Sequence, residues 1–169
     1  AATTKDFIKI TSEVNQKQLD WFFVYCLYKI GHPIFDVSYT YDTNEKQILL
    51  TVKQIQKKDS NSLYEQNDYY KGSIDISING IVEKVWIDPK QTNTYTFPLP
   101  SKPKWINFDV ESTWIKEVHF KKSSVELIDQ LLLDKDITSQ NWALNELVKI
   151  HQDSSTISEV KKNIKEALK

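Results

Sequence analysis

The sequence predicts a mainly β fold, an antiparallel β-sandwich of about seven strands with two helices before it and about three after it. Apolar residues recur at helical spacing up to Pro33, alternate with polar residues over 34–121, and return to helical spacing from Ser123. Short turns break the alternating part at regular intervals, and no helical stretch interrupts it, which is typical of a sandwich. We therefore expect three parts, residues 1–33, 34–122 and 123–169.

Composition excludes several classes of protein. The chain has 169 residues, 40% of them apolar, which is enough for a substantial core. The 22 basic and 23 acidic residues nearly cancel, and every basic residue is lysine, so no guanidinium is present to clamp a phosphate or read a base. No apolar run approaches the roughly 20 residues of a membrane span. We expect neither a nucleic-acid partner nor a membrane-spanning segment.

The first helix is predicted to begin at a threonine cap and to end near Asn15. Thr3 or Thr4 can accept a hydrogen bond from the first turn, and Asn15 tolerates the left-handed conformation that ends helices. Its apolar stripe consists of Phe7, Ile10 and Val14.

The second predicted helix, residues 18–29, lies in a stretch with hardly any polar face. We call residues 19–33 the aromatic segment, because its sequence, LDWFFVYCLYKIGHP, is dominated by large apolar side chains. Gly31 and Pro33 end the helix. A helix this apolar needs protein on most sides, and Cys26 within it is expected to be a small buried hydrophobe.

The strand pattern predicts hairpins joined by polar turns. The strongest local signal is Asn79-Gly80, the dipeptide preferred in a type I′ turn, between two isoleucine-rich strands. Residues 57–67 have no period and only Leu63 and Tyr64 as apolar anchors, so we expect an irregular loop that crosses between the sheets. The strands are predicted at 34–41, 48–56, 73–78, 81–87, 94–97, 105–110 and 117–121.

Three helices are predicted after the sandwich. Ser123 or Ser124 can cap the first, and Thr138 or Ser139 the second. Residues 156–159 form a capping box for the third, whose stripe is Ile157, Val160, Ile164 and Leu168. Three helices bury too little surface to stand alone, so we expect them to pack on the sandwich or on further helices.

The order of these segments resembles one region of the M1-family zinc aminopeptidases, or gluzincins. The resemblance rests on LDWFFVYCLYKIGHPIFDVSYTYD, KQILLTVKQIQ, YYKGSIDISI and KPKWINFDV, and on the leucine-rich helices after Ser123. It implies that residues 1–33 are the end of a catalytic domain missing from this chain. It also implies that 34–122 is an immunoglobulin-like β-sandwich and that 123–169 begins a HEAT-like helical domain.

The resemblance implies a positional and non-catalytic role for this chain. The family's zinc motif, His-Glu-x-x-His, does not occur in the sequence, so zinc is expected only in the missing catalytic domain of the parent enzyme. The chain would hold the helical domain over the catalytic cleft and have no activity alone. Contact with the missing domain is expected through Trp21, Phe22, Phe23 and Leu27.

No residue in the chain is expected to be catalytic, cofactor-binding or metal-binding. His32, His119 and His151 are far apart in sequence, and each lacks a close second ligand. Asp134 and Asp136 lie where acidic residues start helices, which favours capping over acid-base catalysis. The remaining candidates, which have no histidine at plausible range in sequence, are Asp59, Ser60 and Ser62.

Two alternatives remain open. One is a free-standing immunoglobulin-like binding module that holds a protein or carbohydrate through the loop 57–67 or through an aromatic face. The other is a scaffold whose upstream zinc site has decayed. The aromatic face would comprise Trp86, Tyr95, Phe97, Trp105 and Trp114, although packing in the core explains these residues better.

Overall fold

The computed structural model describes residues 2–151. Seven strands form a β-sandwich, and four helices flank it. The helices are α1 (Thr4–Asn15), α2 (Asp20–Phe23), α3 (Ser124–Leu133) and α4 (Ile137–His151). The strands are β1 (Ile34–Asp42), β2 (Gln47–Gln54), β3 (Gly72–Ile78), β4 (Ile81–Ile87), β5 (Thr92–Pro98), β6 (Ile106–Phe108) and β7 (Glu117–Phe120). The predicted third C-terminal helix, with its capping box at 156–159, lies outside the described residues.

Two sheets enclose one core. The larger has the strand order β5-β2-β1-β7 and the smaller β4-β3-β6, and the predicted loop 57–67 does cross from one to the other. Alternate residues of the central strands face inward, as period two requires. The fully buried side chains at the centre are Phe35, Ile48, Leu50, Ile74, Ile76, Ile87 and Ile106.

The hairpin of β3 and β4 forms as predicted. Asn79 and Gly80 both have positive φ, 51° and 87°, as a type I′ turn requires. The register pairs Ile78 with Ile81, and the Asn79 side chain accepts a hydrogen bond from the Lys104 amide at 2.8 Å. This turn therefore fixes the hairpin and also holds the approach to β6.

One strand pair contradicts the prediction of a wholly antiparallel fold. β1 and β7 pair in parallel, with Ile34 opposite Glu117 and Val37 opposite Phe120. A parallel pair needs a long crossover, for which the sequence offers no helix, but here the second sheet itself is the crossover. The free edge of β1 accepts β7 after the chain returns through a 3₁₀ turn at Val110–Ser112.

The two N-terminal helices differ in detail from the prediction. α1 begins at the predicted cap, Thr3, but the left-handed residue at its end is Gln16 (φ 50°), not Asn15. α2 is only four residues long and continues as a π-helical turn over Val24–Tyr28. The single helix predicted over 18–29 is thus wrong in length, because the wider π turn ends the regular α-helix at Phe23.

The C-terminal helices form an antiparallel pair beside the sandwich. Ser123 caps α3 in a capping box with Glu126, as predicted. α4 begins at Ile137, and its first turn is capped by the Asp136 carboxylate, which accepts a hydrogen bond from the Thr138 amide at 2.9 Å. The predicted caps Thr138 and Ser139 are therefore wrong by two or three residues. Leu127, Ala143 and Leu147 form the core of the pair.

Candidate functional site

The three histidines lie apart in the fold. His32 follows the π turn, and its Nε2 lies 2.9 Å from the Glu117 carboxylate, so it ties the aromatic segment to the start of β7. His119 is exposed on β7. α4 ends at His151, whose side chain is outside the described part. Within residues 2–151, no group of three histidine, cysteine or acidic side chains is arranged to hold a metal ion.

The paired carboxylates after α3 have structural partners. Asp134 is buried and accepts a hydrogen bond from the Ser139 hydroxyl at 2.6 Å. Asp136 accepts from the Asn107 side chain at 3.0 Å and from the Glu111 amide at 2.7 Å. Burial alone would raise the pKa of Asp136, but these donors and the Thr138 cap outweigh it and lower the pKa. Both carboxylates therefore fasten the helix pair to its neighbours.

The loop 57–67 is held by hydrogen bonds among its own residues. The Asp59 amide donates to Gln66 Oε1, and Gln66 Nε2 donates back to the Asp59 carbonyl, both at 2.9 Å. Ser62 bonds to the backbone of Tyr64, and Ser60 is exposed. The predicted anchoring role of Leu63 and Tyr64 is wrong, because their exposed fractions are 96% and 71%. Polar bonds, not apolar contacts, shape this loop.

The aromatic face considered for a protein or carbohydrate partner does not form a strip. Trp105 is buried, and Trp114 packs on Phe35 with ring centroids 5.7 Å apart. Tyr95 and Phe97 pack against the sandwich core. Trp86 is half exposed, and its ring meets Trp21 edge-on at 5.7 Å. These side chains serve packing, as the sequence favoured.

The aromatic segment leaves a bare apolar surface on the outside of the fold. Phe22 and Leu27 keep 46% and 62% of their surface exposed, and Tyr28 and Ile30 are also exposed. The apolar stripe of α1 is exposed in the same way, with its members Phe7, Ile10 and Val14. Exposed apolar side chains concentrated on neighbouring elements mark candidate interaction sites. We name the set Phe7, Ile10, Val14, Phe22, Leu27, Tyr28 and Ile30 the apolar face.

Two expectations for the aromatic segment are corrected. Phe23 was expected at the interface, but it is 5% exposed because it packs edge-on against Phe7 and Phe22, at 5.8 and 5.6 Å between ring centroids. Cys26 was expected to be buried, yet it is exposed, because this chain covers only one side of the π turn. Partial burial still raises the pKa of its thiol.

Trp21 packs inward from the edge of the apolar face. It contacts Trp86 of β4, and the Lys71 ammonium lies 5.2 Å above its ring. Trp21, Tyr25 and Tyr70 line a cleft of about 370 Å³ between the aromatic segment and the sandwich. Sequence reasoning missed Lys71, because nothing in its local pattern places a lysine over a tryptophan 50 residues earlier.

A buried lysine joins the helix pair to the sandwich. Lys122 donates to the Ile106 carbonyl and to the Gln130 side chain, and its Nζ lies 4.3 Å from the Phe120 ring centroid and 4.9 Å from that of Trp142. Burial lowers the pKa of Lys122 to about 7, with the nearby carboxylates of Glu126 and Asp134 opposing the change. Sequence reasoning missed Lys122, because its only local feature is its place between a strand and a helix cap.

The fold of the chain is similar to that of one segment of a solved aminopeptidase. The structure matches the crystal structure of Legionella pneumophila aminopeptidase A in complex with aspartic acid with a TM-score of 0.72. The match covers 88% of this chain and 17% of that chain, at 15% sequence identity. No protein-family profile matches the sequence, and no curated protein matches it.

The resemblance read from the sequence is thus confirmed for the fold. The chain spans about a sixth of the length of the aminopeptidase that it matches. None of the helices in residues 2–151 has the length and hydrophobicity that crossing a bilayer requires.

Proposed function

We propose that this chain is the non-catalytic C-terminal region of an M1-type zinc aminopeptidase. Residues 1–33 are the helical tail of the catalytic domain, 34–122 an immunoglobulin-like sandwich, and 123–169 the start of a HEAT-like helical domain. The observation that carries the proposal is the apolar face, because the sandwich and helices within residues 2–151 leave it exposed. The match to a segment of a much longer aminopeptidase supports it.

The apolar face is the contact with the catalytic domain in this proposal. Phe22 and Leu27 provide large exposed side chains on the outside of α2 and the π turn. Trp21 borders them and is held in place by Trp86 and Lys71, so that it is already ordered before contact. Phe23 belongs to the support beneath this surface and not to the contact.

The parallel pairing of β1 and β7 explains how the sandwich acts as a spacer. The chain enters β1 from the aromatic segment and leaves β7 towards α3, and two parallel neighbours put these points at opposite ends of the pair. The four residues of β7 separate them by about 10 Å, at ~3.3 Å per residue. In this proposal the offset keeps the helical domain apart from the catalytic domain, and the family resemblance implies that the helical domain lies over the catalytic cleft and restricts entry to the ends of peptides.

Zinc and the catalytic residues belong to the catalytic domain in this proposal. The test uses a fluorogenic aminoacyl substrate with added zinc. We expect the 169-residue chain to show no turnover above blank and the full polypeptide encoded by its gene to hydrolyse the substrate. Turnover by the isolated chain would refute the proposal.

The coding sequence upstream of residue 1 separates this proposal from the alternatives. An intact His-Glu-x-x-His motif there agrees with the aminopeptidase. A broken motif in a similar frame favours the scaffold, and an unrelated domain or a leader favours the free-standing binding module. The last two results contradict the proposal.

A further inference from the structure

The loop 57–67 presents two large apolar side chains on a shaped support. Leu63 and Tyr64 are 96% and 71% exposed, the highest pair of neighbouring values among large apolar residues of the described chain. Loops often carry binding residues, and two neighbouring exposed apolar side chains next to further exposed apolar residues are a candidate contact.

The backbone beneath these side chains is ordered by polar contacts. Hydrogen bonds within the loop close it on itself. They join Asp59 to Gln66 twice, the Asn61 amide to the Asp59 carboxylate at 2.9 Å, and Ser62 to the backbone of Tyr64. An ion pair of 2.6 Å between Lys58 and Asp68 closes its base. A loop held in one shape loses little conformational entropy when a partner covers its tip.

The same loop is attached to the end of the aromatic segment. The Ile30 amide donates to the Glu65 carbonyl at 3.0 Å, Ile30 pairs with Gln66 in an isolated parallel bridge, and Lys29 lies 3.4 Å from the Glu65 carboxylate. Leu63 is two residues from Glu65, so its Cα lies within about 8 Å of this junction, at ~3.8 Å per residue. The loop therefore joins the apolar face at Ile30, and its tip begins one residue before the junction at Glu65.

We propose that the tip of loop 57–67 is a second contact of the apolar face, inserting Leu63 and Tyr64 into an apolar pocket of the preceding catalytic domain. This inference rests on the proposed function and extends it. The occupant is that domain because the tip adjoins the apolar face, and because the fold matches a segment covering only 17% of a longer aminopeptidase chain. The partner pocket takes a leucine and a phenol ring and supplies a hydrogen-bond acceptor for the Tyr64 hydroxyl.

The test uses the alkylation rate of Cys26 in the full polypeptide, measured by peptide mass spectrometry. Cys26 is exposed in this chain and lines the same cleft as Phe22, so each rate in the full polypeptide is divided by the rate of the same variant in the isolated chain, and the ratio reports how often the interface opens. The test variant is L63S/Y64S. Its matched control is I81S/V82S, a neighbouring pair that is also exposed, on β4. F22S/L27S opens the apolar face itself.

We expect L63S/Y64S to raise the Cys26 rate about fivefold or more, and I81S/V82S to leave it unchanged. In the isolated 169-residue chain, L63S/Y64S should leave the rate unchanged, which excludes a local effect. If F22S/L27S raises the rate and L63S/Y64S does not, the loop has no part in the interface and the proposed function stands. If neither raises it, both proposals are wrong.

Discussion

At the scale of single residues, the described chain buries two lysines, each with a different partner. Lys116 forms an ion pair with Asp109, and both side chains are almost fully buried. Lys122 instead donates to a carbonyl and an amide oxygen and faces two aromatic rings. Isolated charges are expensive to bury, so these two residues should respond differently to substitution and to pH.

The pH dependence of the free energy of unfolding should show that Lys122 loses its proton more easily in the folded state. Its folded pKa of about 7 is below the unfolded value, so the folded state binds fewer protons and becomes more stable as pH rises between them. We expect wild type to gain about 3 kcal/mol relative to Lys122→Met from pH 7 to pH 9.5, at ~1.4 kcal/mol per unit where the proton is lost. Urea unfolding at several pH values measures this. A difference independent of pH would show that Lys122 stays charged throughout.

Asp109 should be among the most sensitive residues of the sandwich. It adopts positive φ (66°) and accepts hydrogen bonds from the Thr113 amide at 3.2 Å and the Trp114 amide at 2.9 Å. We expect Asp109→Ala to destabilise the fold by about 3 kcal/mol, because Lys116 would keep a buried charge without a partner. The control is Asp36→Ala at an exposed position of β1, with an expected change within ~0.5 kcal/mol. Equal effects in urea unfolding would contradict this role.

At the scale of elements, α2 and its π turn carry one buried side chain that supports the fold, Phe23, and two exposed ones that belong to the apolar face, Phe22 and Leu27. Phe23→Ala should destabilise the isolated chain by about 3 kcal/mol, because it removes a buried ring between Phe7 and Phe22. F22S/L27S should change the free energy of unfolding by less than ~1 kcal/mol, since both side chains are exposed. Thermal unfolding of the two variants measures this. If F22S/L27S destabilised the chain more than Phe23→Ala, the apolar face would be covered within the chain.

Sequence reasoning predicted the seven strands, the Asn79-Gly80 turn and the caps at Thr3 and Ser123, because each depends on neighbouring residues. It missed the parallel pairing of β1 and β7, which depends on which sheet edge is free after the whole sandwich has formed. It also placed the cap of α4 at Thr138 or Ser139, because the sequence offers several capping residues in a row and Asp136 was assigned only a general role.

The candidate interface was predicted in part. The excess of apolar side chains in the aromatic segment indicated a partner, and Phe22 and Leu27 are exposed as expected of a contact surface. Phe23 and Cys26 were assigned to the wrong sides, because the π turn changes which residues share a face after Phe23. Leu63 and Tyr64 were taken as anchors, since composition alone does not distinguish a buried apolar pair from an exposed one.

At the scale of the whole molecule, the sandwich connects two helical parts through one parallel strand pair. The aromatic segment is fixed at the start of that pair by the Glu117 amide, which donates to the Pro33 carbonyl at 3.0 Å, and by the contact of His32 with the Glu117 carboxylate. At the other end, Lys122 and the Tyr39 hydrogen bond to Glu126 fix α3. Because the sandwich is fixed to both helical parts, it determines their relative position as well as joining them, as the proposed role requires.

The central claim is that a catalytic domain of the same polypeptide covers the apolar face. Hydroxyl-radical labelling of Phe22 and Leu27, read by mass spectrometry, tests it in the 169-residue chain and in the full polypeptide, with exposed Val82 as the reference residue. We expect labelling of Phe22 and Leu27 to fall at least fivefold in the full polypeptide, while Val82 is labelled equally in both. Equal labelling of Phe22 and Leu27 in the two proteins would contradict the account.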